Sequence, residues 1–143
     1  MSARGQNFFF GLLYAFGMMT DAMTSGKFTP CPNKPNCVST QANPKSRHYL
    51  APTPFEGSVS EVMEKVLELV KEIPRHTVRT KSDKYLHAEV KSRVFGFVDD
   101  LEIYLDESEK LVHMRSAART GYGDLGVNRK RLEHLQRELK KSL

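Results

Sequence analysis

His87 and Glu89 stand two residues apart, as do Asp100 and Glu102, and again His113 and Arg115. In an extended chain that spacing puts both side chains of a pair on the same face. Adjoining strands would gather two imidazoles, three carboxylates and a guanidinium on one surface. His87, Glu89, Glu102 and His113 have the residue types of a two-histidine, one-carboxylate metal set. Arg115 among them is an awkward neighbour for a cation, so no metal is expected. Glu89 or Asp100 with His87 offers acid–base chemistry. Nucleophilic catalysis has less to work with: Ser92 and Ser116 are the serines near these groups, and neither sits on an elbow-type turn. A fourth chemistry lies downstream, where Arg115, Arg119, Arg129 and Arg131 can grip a carboxylate or phosphate. The same arginines can instead be tied to Glu89, Asp99, Asp100 and Glu102 in a structural ion network. Both alternatives stand at this point.

Gly121-Tyr-Gly-Asp-Leu-Gly126 matches the dinucleotide fingerprint letter for letter. That fingerprint works inside a parallel β–α–β unit, and no residues remain after the following helix to form the next strand. Asp124 would also set a negative charge where the pyrophosphate sits. The glycines are read as a tight turn, with Asp124 capping the helix.

The elements that must position these residues can be read from hydrophobic period. Ser58-Val-Ser-Glu61 is a capping box, and Val59, Val62, Met63, Val66, Leu67, Val70 and Ile73 recur at helical spacing until Pro74. Strands follow near Thr77–Thr80, Lys84–Ser92, Phe97–Asp106 and Lys110–Ala118. Their connections are too short for crossover helices, so the sheet must be antiparallel. A turn at Glu107-Ser108 would set Asp100 opposite Arg115 and Glu102 opposite His113. Leu101, Ile103, Leu105, Val112 and Met114 then form the apolar face. The last helix begins after Gly126, with Leu125, Leu132, Leu135, Leu139 and Leu143 in one stripe and Asn128 on the same side. A polar residue pointing inward needs partners, and Asn128 is expected to hold the loop before it.

The expected fold class is α+β: a small antiparallel sheet of three to four strands, packed on one face by two helices, after an extended disulfide-looped segment. Of 143 residues, 1–26 read as a signal-peptide-like export segment, 27–56 as a Cys/Pro-rich extended segment and 57–143 as the compact domain. Arg4, the uncharged run Phe8-Phe-Phe-Gly-Leu-Leu-Tyr-Ala-Phe-Gly-Met-Met19 and the small residues to Gly26 have the order of a secretory signal. The run is short of the roughly 20 residues a spanning helix needs. A buried helix of a cytoplasmic protein is the alternative. Cys31 and Cys37, the two cysteines of the chain, lack zinc-finger partners and thioredoxin spacing. They read as a structural disulfide in an oxidising compartment.

The formal charge of +5 is local: from Arg115 to Leu143, eight cations face three acids, and the rest of the chain balances. Such placement argues for an anion-facing surface or a solvated helix face. The basic helix has charge for phosphate contacts, but no aromatic platform or known binding motif accompanies it, so nucleic acid is not expected. An anionic membrane suits an exported basic helix better, although the apolar stripe belongs to the core.

Four motifs come in order: Cys31-Pro-Asn-Lys-Pro-Asn-Cys-Val-Ser-Thr-Gln41, Tyr85-Leu-His-Ala-Glu-Val-Lys-Ser92, Phe97-Val-Asp-Asp-Leu-Glu102 and Arg115-Ser-Ala-Ala-Arg-Thr-Gly-Tyr-Gly-Asp-Leu-Gly-Val-Asn-Arg-Lys-Arg131. Together, from Cys31 to about Glu138, they resemble the bacterial and plastid domain of unknown function numbered 1499. Thr40 stands where that family more often has a serine. The resemblance implies one compact domain, often behind an export signal, and supplies no activity or cofactor.

Two functions follow as expectations. One is a non-catalytic envelope or extracytoplasmic domain that binds an anionic small molecule, a lipid head group or an envelope protein. Its candidate residues are His87, Glu89, Asp100, Glu102, His113, Arg115, Arg119, Asn128, Arg129 and Arg131. The alternative is a small hydrolase-like enzyme using His87, Glu89 and Asp100 on an open sheet face. Oligomeric state is not encoded in any feature above.

Overall fold

The computed structural model describes residues 22–93 and 96–143; the apolar run at 8–19 lies outside them. In chain order the elements are β1 (Cys37–Ser39), β2 (Thr53–Pro54), α1 (Val59–Lys71), β3 (His76–Lys81), β4 (Tyr85–Lys91), β5 (Val98–Asp106), β6 (Leu111–Ala118) and α2 (Val127–Ser142). Residues 22–25 are also helical.

The sheet is antiparallel and has six strands among the described residues, ordered β1-β6-β5-β4-β3, with β2 also on β6. It is larger than the three to four strands read from the sequence. The two extra strands come from the proline-rich segment, which lacks the alternation that marks a strand. Cys37, Val38 and Ser39 face Ala117, Ser116 and Arg115 across the ladder, and Thr53 and Pro54 face Val112 and Leu111. Short edge strands of this kind satisfy the outer backbone groups of β6.

Ser58 accepts the Glu61 amide proton at 3.1 Å and starts α1. Val62, Met63, Val66 and Val70 are its buried face. Leu132, Leu135 and Leu139 of α2 join them over Leu86, Ala88, Leu101, Ile103, Leu105, Val112 and Met114 of the sheet. The expected leucine stripe of α2 is shorter at both ends. Leu125 precedes the helix and is 96 % exposed, and Leu143 is also exposed.

The β5–β6 pairing also differs from expectation. Glu102 faces Arg115, Tyr104 faces His113, and Asp100 faces Ala117. The turn occupies residues 107–110, where Asp106 Oδ1 accepts the amides of Ser108 and Glu109 and Lys110 takes φ 57°. The pairing is therefore two residues away from that of a turn at Glu107-Ser108. A two-residue slip leaves every side chain on its face, so the apolar pattern excludes odd slips and is blind to even ones.

The face of the sheet opposite the helices is not open. Phe28 and Ala22 are buried against Tyr85, with Met23 and Tyr104 beside them. Gln41 clamps this strap, accepting the Phe28 amide at 2.8 Å and donating to the Gly26 carbonyl at 2.6 Å. At Gly26, φ is 71° and an added Cβ would lie 2.5 Å from the Tyr104 ring, so only glycine allows the approach. Cys31 and Cys37 form a disulfide across a Cα–Cα distance of 5.7 Å, joining the strap to β1. Closing so short a loop limits the unfolded chain by roughly 2 kcal/mol. The double variant Cys31→Ser/Cys37→Ser is expected to lose about that much in a urea titration. No loss on reduction of the wild type would refute it.

Candidate functional site

On the polar face, β4 presents Tyr85, His87 and Glu89, β5 presents Asp100, Glu102 and Tyr104, and β6 presents His113, Arg115 and Ala117. Between this face and the strap runs a cleft of about 510 Å³, lined by Thr29, Pro32, His87, Asp100, Glu102, Arg115, Ala117, Ala118 and Arg119. Five of the ten residues singled out in the sequence thus meet in one place.

Asp100 is the junction of the cleft. Its Oδ1 lies 2.8 Å from His87 Nε2, and Arg119 donates to both of its oxygens, at 2.6 and 3.1 Å. Burial pushes the Asp100 carboxyl up, but the His87 and Arg119 hydrogen bonds outweigh it and hold the group at about 2. Arg119 also reaches Glu89 Oε1 at 3.5 Å, and Arg79 donates to Glu89 at 2.8 Å. Arg79 first, and Arg119 with it, hold Glu89 below the usual carboxylate range. Glu102 accepts from the Tyr85 hydroxyl at 3.0 Å. Burial and then Glu102 keep that phenol protonated well above its ordinary range.

Two groups in the cleft remain under-satisfied. Arg115 is only 8 % exposed, its nearest acid oxygen is Glu102 Oε1 at 3.7 Å, and its buried Nε has no hydrogen-bond partner. His87 is 6 % exposed, and its Nδ1 is likewise buried without a partner. A buried guanidinium nitrogen without a hydrogen-bond partner carries a desolvation cost that a 3.7 Å ion pair offsets only in part.

The other candidates lie elsewhere. His113 Nδ1 is 2.9 Å from Thr40 Oγ1, the same oxygen that accepts the Met114 amide. Burial lowers its pKa. It faces the hairpin tip, where its ring and the Asp106 and Glu109 carboxylates place ligand atoms within 4.8 Å of one another. This grouping is not the His87, Glu89, Glu102 and His113 set considered from the sequence, because β6 carries His113 two residues further from the cleft.

Asn128, Arg129 and Arg131 are on the helix side of the sheet. Asn128 is fully buried: its Oδ1 accepts from Ser116 Oγ at 2.6 Å and from Arg131 at 2.9 Å, and its Nδ2 donates to Asp124 at 2.7 Å. Arg131 continues to Asp99 at 3.0 Å. Arg129 donates to the carbonyls of Arg47 and Tyr49 and so pins the proline-rich segment to α2. The four arginines therefore form no single cluster. Arg115 and Arg119 face the cleft, whereas Arg129 and Arg131 have their hydrogen bonds taken up by the fold. Thr29 and Pro32 complete the cleft and were missed, since nothing in an irregular segment signals which surface it will cover.

Among the described residues, no helix is long and apolar enough to cross a membrane. The chain matches the model of a family described as "Protein of unknown function (DUF1499)" over residues 27–139. No curated protein matches it.

Proposed function

The chain belongs to the DUF1499 family, and from that premise we propose that it is a non-catalytic extracytoplasmic domain whose strap-covered cleft binds a small oxyanion. The ligand class is a carboxylate or phosphate, free or as a lipid head group. The observation that carries this reading is Arg115, a nearly buried guanidinium whose Nε has no hydrogen-bond partner and whose ion pair with Glu102 is long, at 3.7 Å. A planar guanidinium matches two oxygens of a carboxylate or phosphate, and charge-assisted bonds of this kind are strong when water is excluded. Arg119 stands at the rim with its donors engaged by Asp100 and Glu89, whereas Arg115 keeps an unpartnered Nε beside its long Glu102 pair, so Arg115 offers the free donor. The disulfide and the apolar N-terminal run support placement in an oxidising compartment outside the cytoplasm.

Thermal unfolding in acetate, phosphate or sulfate, against chloride at equal ionic strength, tests the binding. A ligand at a hundred times its Kd stabilises by about 2.7 kcal/mol. The expected result is a saturable rise in Tm with at least one oxyanion. Arg115→Met should abolish it and Arg137→Ala should leave it unchanged. No rise with any of the three, or a rise that survives in Arg115→Met, would overturn the proposal.

A second reading rests on His87. One ring nitrogen is held by Asp100 and the other is buried without a partner; turned toward the cleft that His87 lines, that nitrogen would act as a general base. Turnover of ester or phosphoester probes that is lost in His87→Gln would favour a hydrolase over simple binding.

A further inference from the structure

Among the described residues, four of the five large exposed hydrophobic ones, Phe97, Tyr122, Leu125 and Val127, sit at one end of the sheet. That end is where β5 begins and β6 finishes, since the Arg119 amide donates to the Val98 carbonyl. The loop that carries Tyr122 and Leu125 is held firmly. Asp124 accepts the amides of Gly126 at 2.9 Å and Asn128 at 3.1 Å, and Asn36 Nδ2 donates to the Gly121 carbonyl at 3.0 Å.

Leu125 in this loop has φ 55°, a left-handed conformation that disfavours residues with a Cβ. A branched apolar residue there would ordinarily be repaid by burial, yet Leu125 is 96 % exposed and Tyr122 is 65 % exposed. Strain that gains nothing inside the fold points to a role outside it. Beside the loop, Val127 and Lys130 join Leu69, Ile73 and Pro74 in a mostly apolar groove between the end of α1 and the start of α2.

The charge around this patch is one-sided. Arg75, Lys91, Arg93 and Lys130 are exposed there: Arg75 Nε donates to the Lys91 carbonyl, Lys91 pairs with Val98 where β5 begins, and Lys130 lines the groove together with the exposed acid Glu72. Apolar side chains that project from a rigid loop, ringed by cations, match the interface of an anionic bilayer. The side chains enter the head-group boundary while the cations meet lipid phosphates. The excess of cations over acids here favours an anionic lipid surface over a protein partner of mixed charge.

We propose that this end of the domain docks on an anionic membrane surface, with Tyr122, Leu125 and Val127 inserting and the surrounding lysines and arginines paired with head groups. It rests on residues separate from the oxyanion cleft and stands or falls without it.

Co-sedimentation of the full chain with phosphatidylcholine vesicles, with and without phosphatidylglycerol, is the test. Any binding through the N-terminal apolar run is common to all variants, so comparison between them isolates the loop. Leu125→Asn puts a residue that tolerates positive φ in place of leucine, so its Tm should be unchanged or higher. Its partitioning to anionic vesicles should fall about tenfold, as loss of one inserted leucine implies. Lys130→Gln should weaken anionic binding roughly fivefold and leave neutral vesicles unaffected. Equal binding of wild type and Leu125→Asn to anionic vesicles overturns the proposal. So does concentration-dependent dimerisation that Leu125→Asn abolishes, since the patch would then be an interface between copies.

Discussion

Asn128→Leu is expected to destabilise the domain by about 3 kcal/mol, more than any exposed substitution in α2, and to lower Tm by on the order of 10 °C. Leucine keeps the branched heavy-atom outline of asparagine, with bulkier methyl groups, but removes every polar atom. Ser116 Oγ then loses its acceptor at a fully buried site, Arg131 loses one of its acceptors, and Asp124 loses the Nδ2 donor that ties the glycine loop to the helix. Each buried group left unpaired costs about 1–3 kcal/mol, and three are affected. Removing both ends of one bond is milder, so Ser116→Ala together with Asn128→Leu should cost less than the two single effects added. Chemical denaturation of the four proteins checks this. Additive losses, or a single loss below about 1 kcal/mol, would show that the network is not the hub its distances describe.

Asp100→Asn has the second large effect, and it depends on pH. In the folded protein the carboxyl sits at about 2 against an ordinary value of 3.8. Because the folded value is depressed, the stabilisation is present in full above the unfolded value and drains away as pH falls from about 4 to 2. The difference corresponds to about 2 kcal/mol at neutral pH. Asparagine removes the charge that orients His87 and balances Arg119, so the variant should be less stable than wild type by about that amount at pH 7. Near pH 2 the two should converge. Urea titrations at a series of pH values measure the gap, and a gap independent of pH would contradict the assignment. Arg119→Met should reproduce part of the loss, since it leaves Asp100 buried with His87 alone.

Much of this was legible before any coordinates. The caps of α1, the alternation in β4 to β6 and the inward placement of Asn128 are local facts of spacing. They determine which side of each element faces the core, because a helix repeats every 3.6 residues and a strand every two. From them follow the α+β class and the common face of His87, Glu89, Asp100, Glu102, His113 and Arg115. The four ordered motifs carried the family, which the match over residues 27–139 shows.

Other features were decided by contacts between distant residues. Alternation fixes register only to within two residues, so the turn chemistry of Asp106 and Lys110 had to choose between Asp100 and Glu102 as the neighbour of Arg115. The sequence also places Arg115, Arg119, Arg129 and Arg131 within one stretch, but the sheet separates them, because the Arg115 and Arg119 side chains face the cleft while α2 packs on the opposite face. The strap from residue 22 to Pro32 has no period at all. Its seat on Tyr85 and Tyr104 depends on one glycine, one glutamine clamp and one disulfide. What the amino-acid order determined alone was the set of faces and their chemistry. Which charges met, which stayed unpaired and what covered them were set by tertiary packing, since ion pairs and lids join residues that no local period relates.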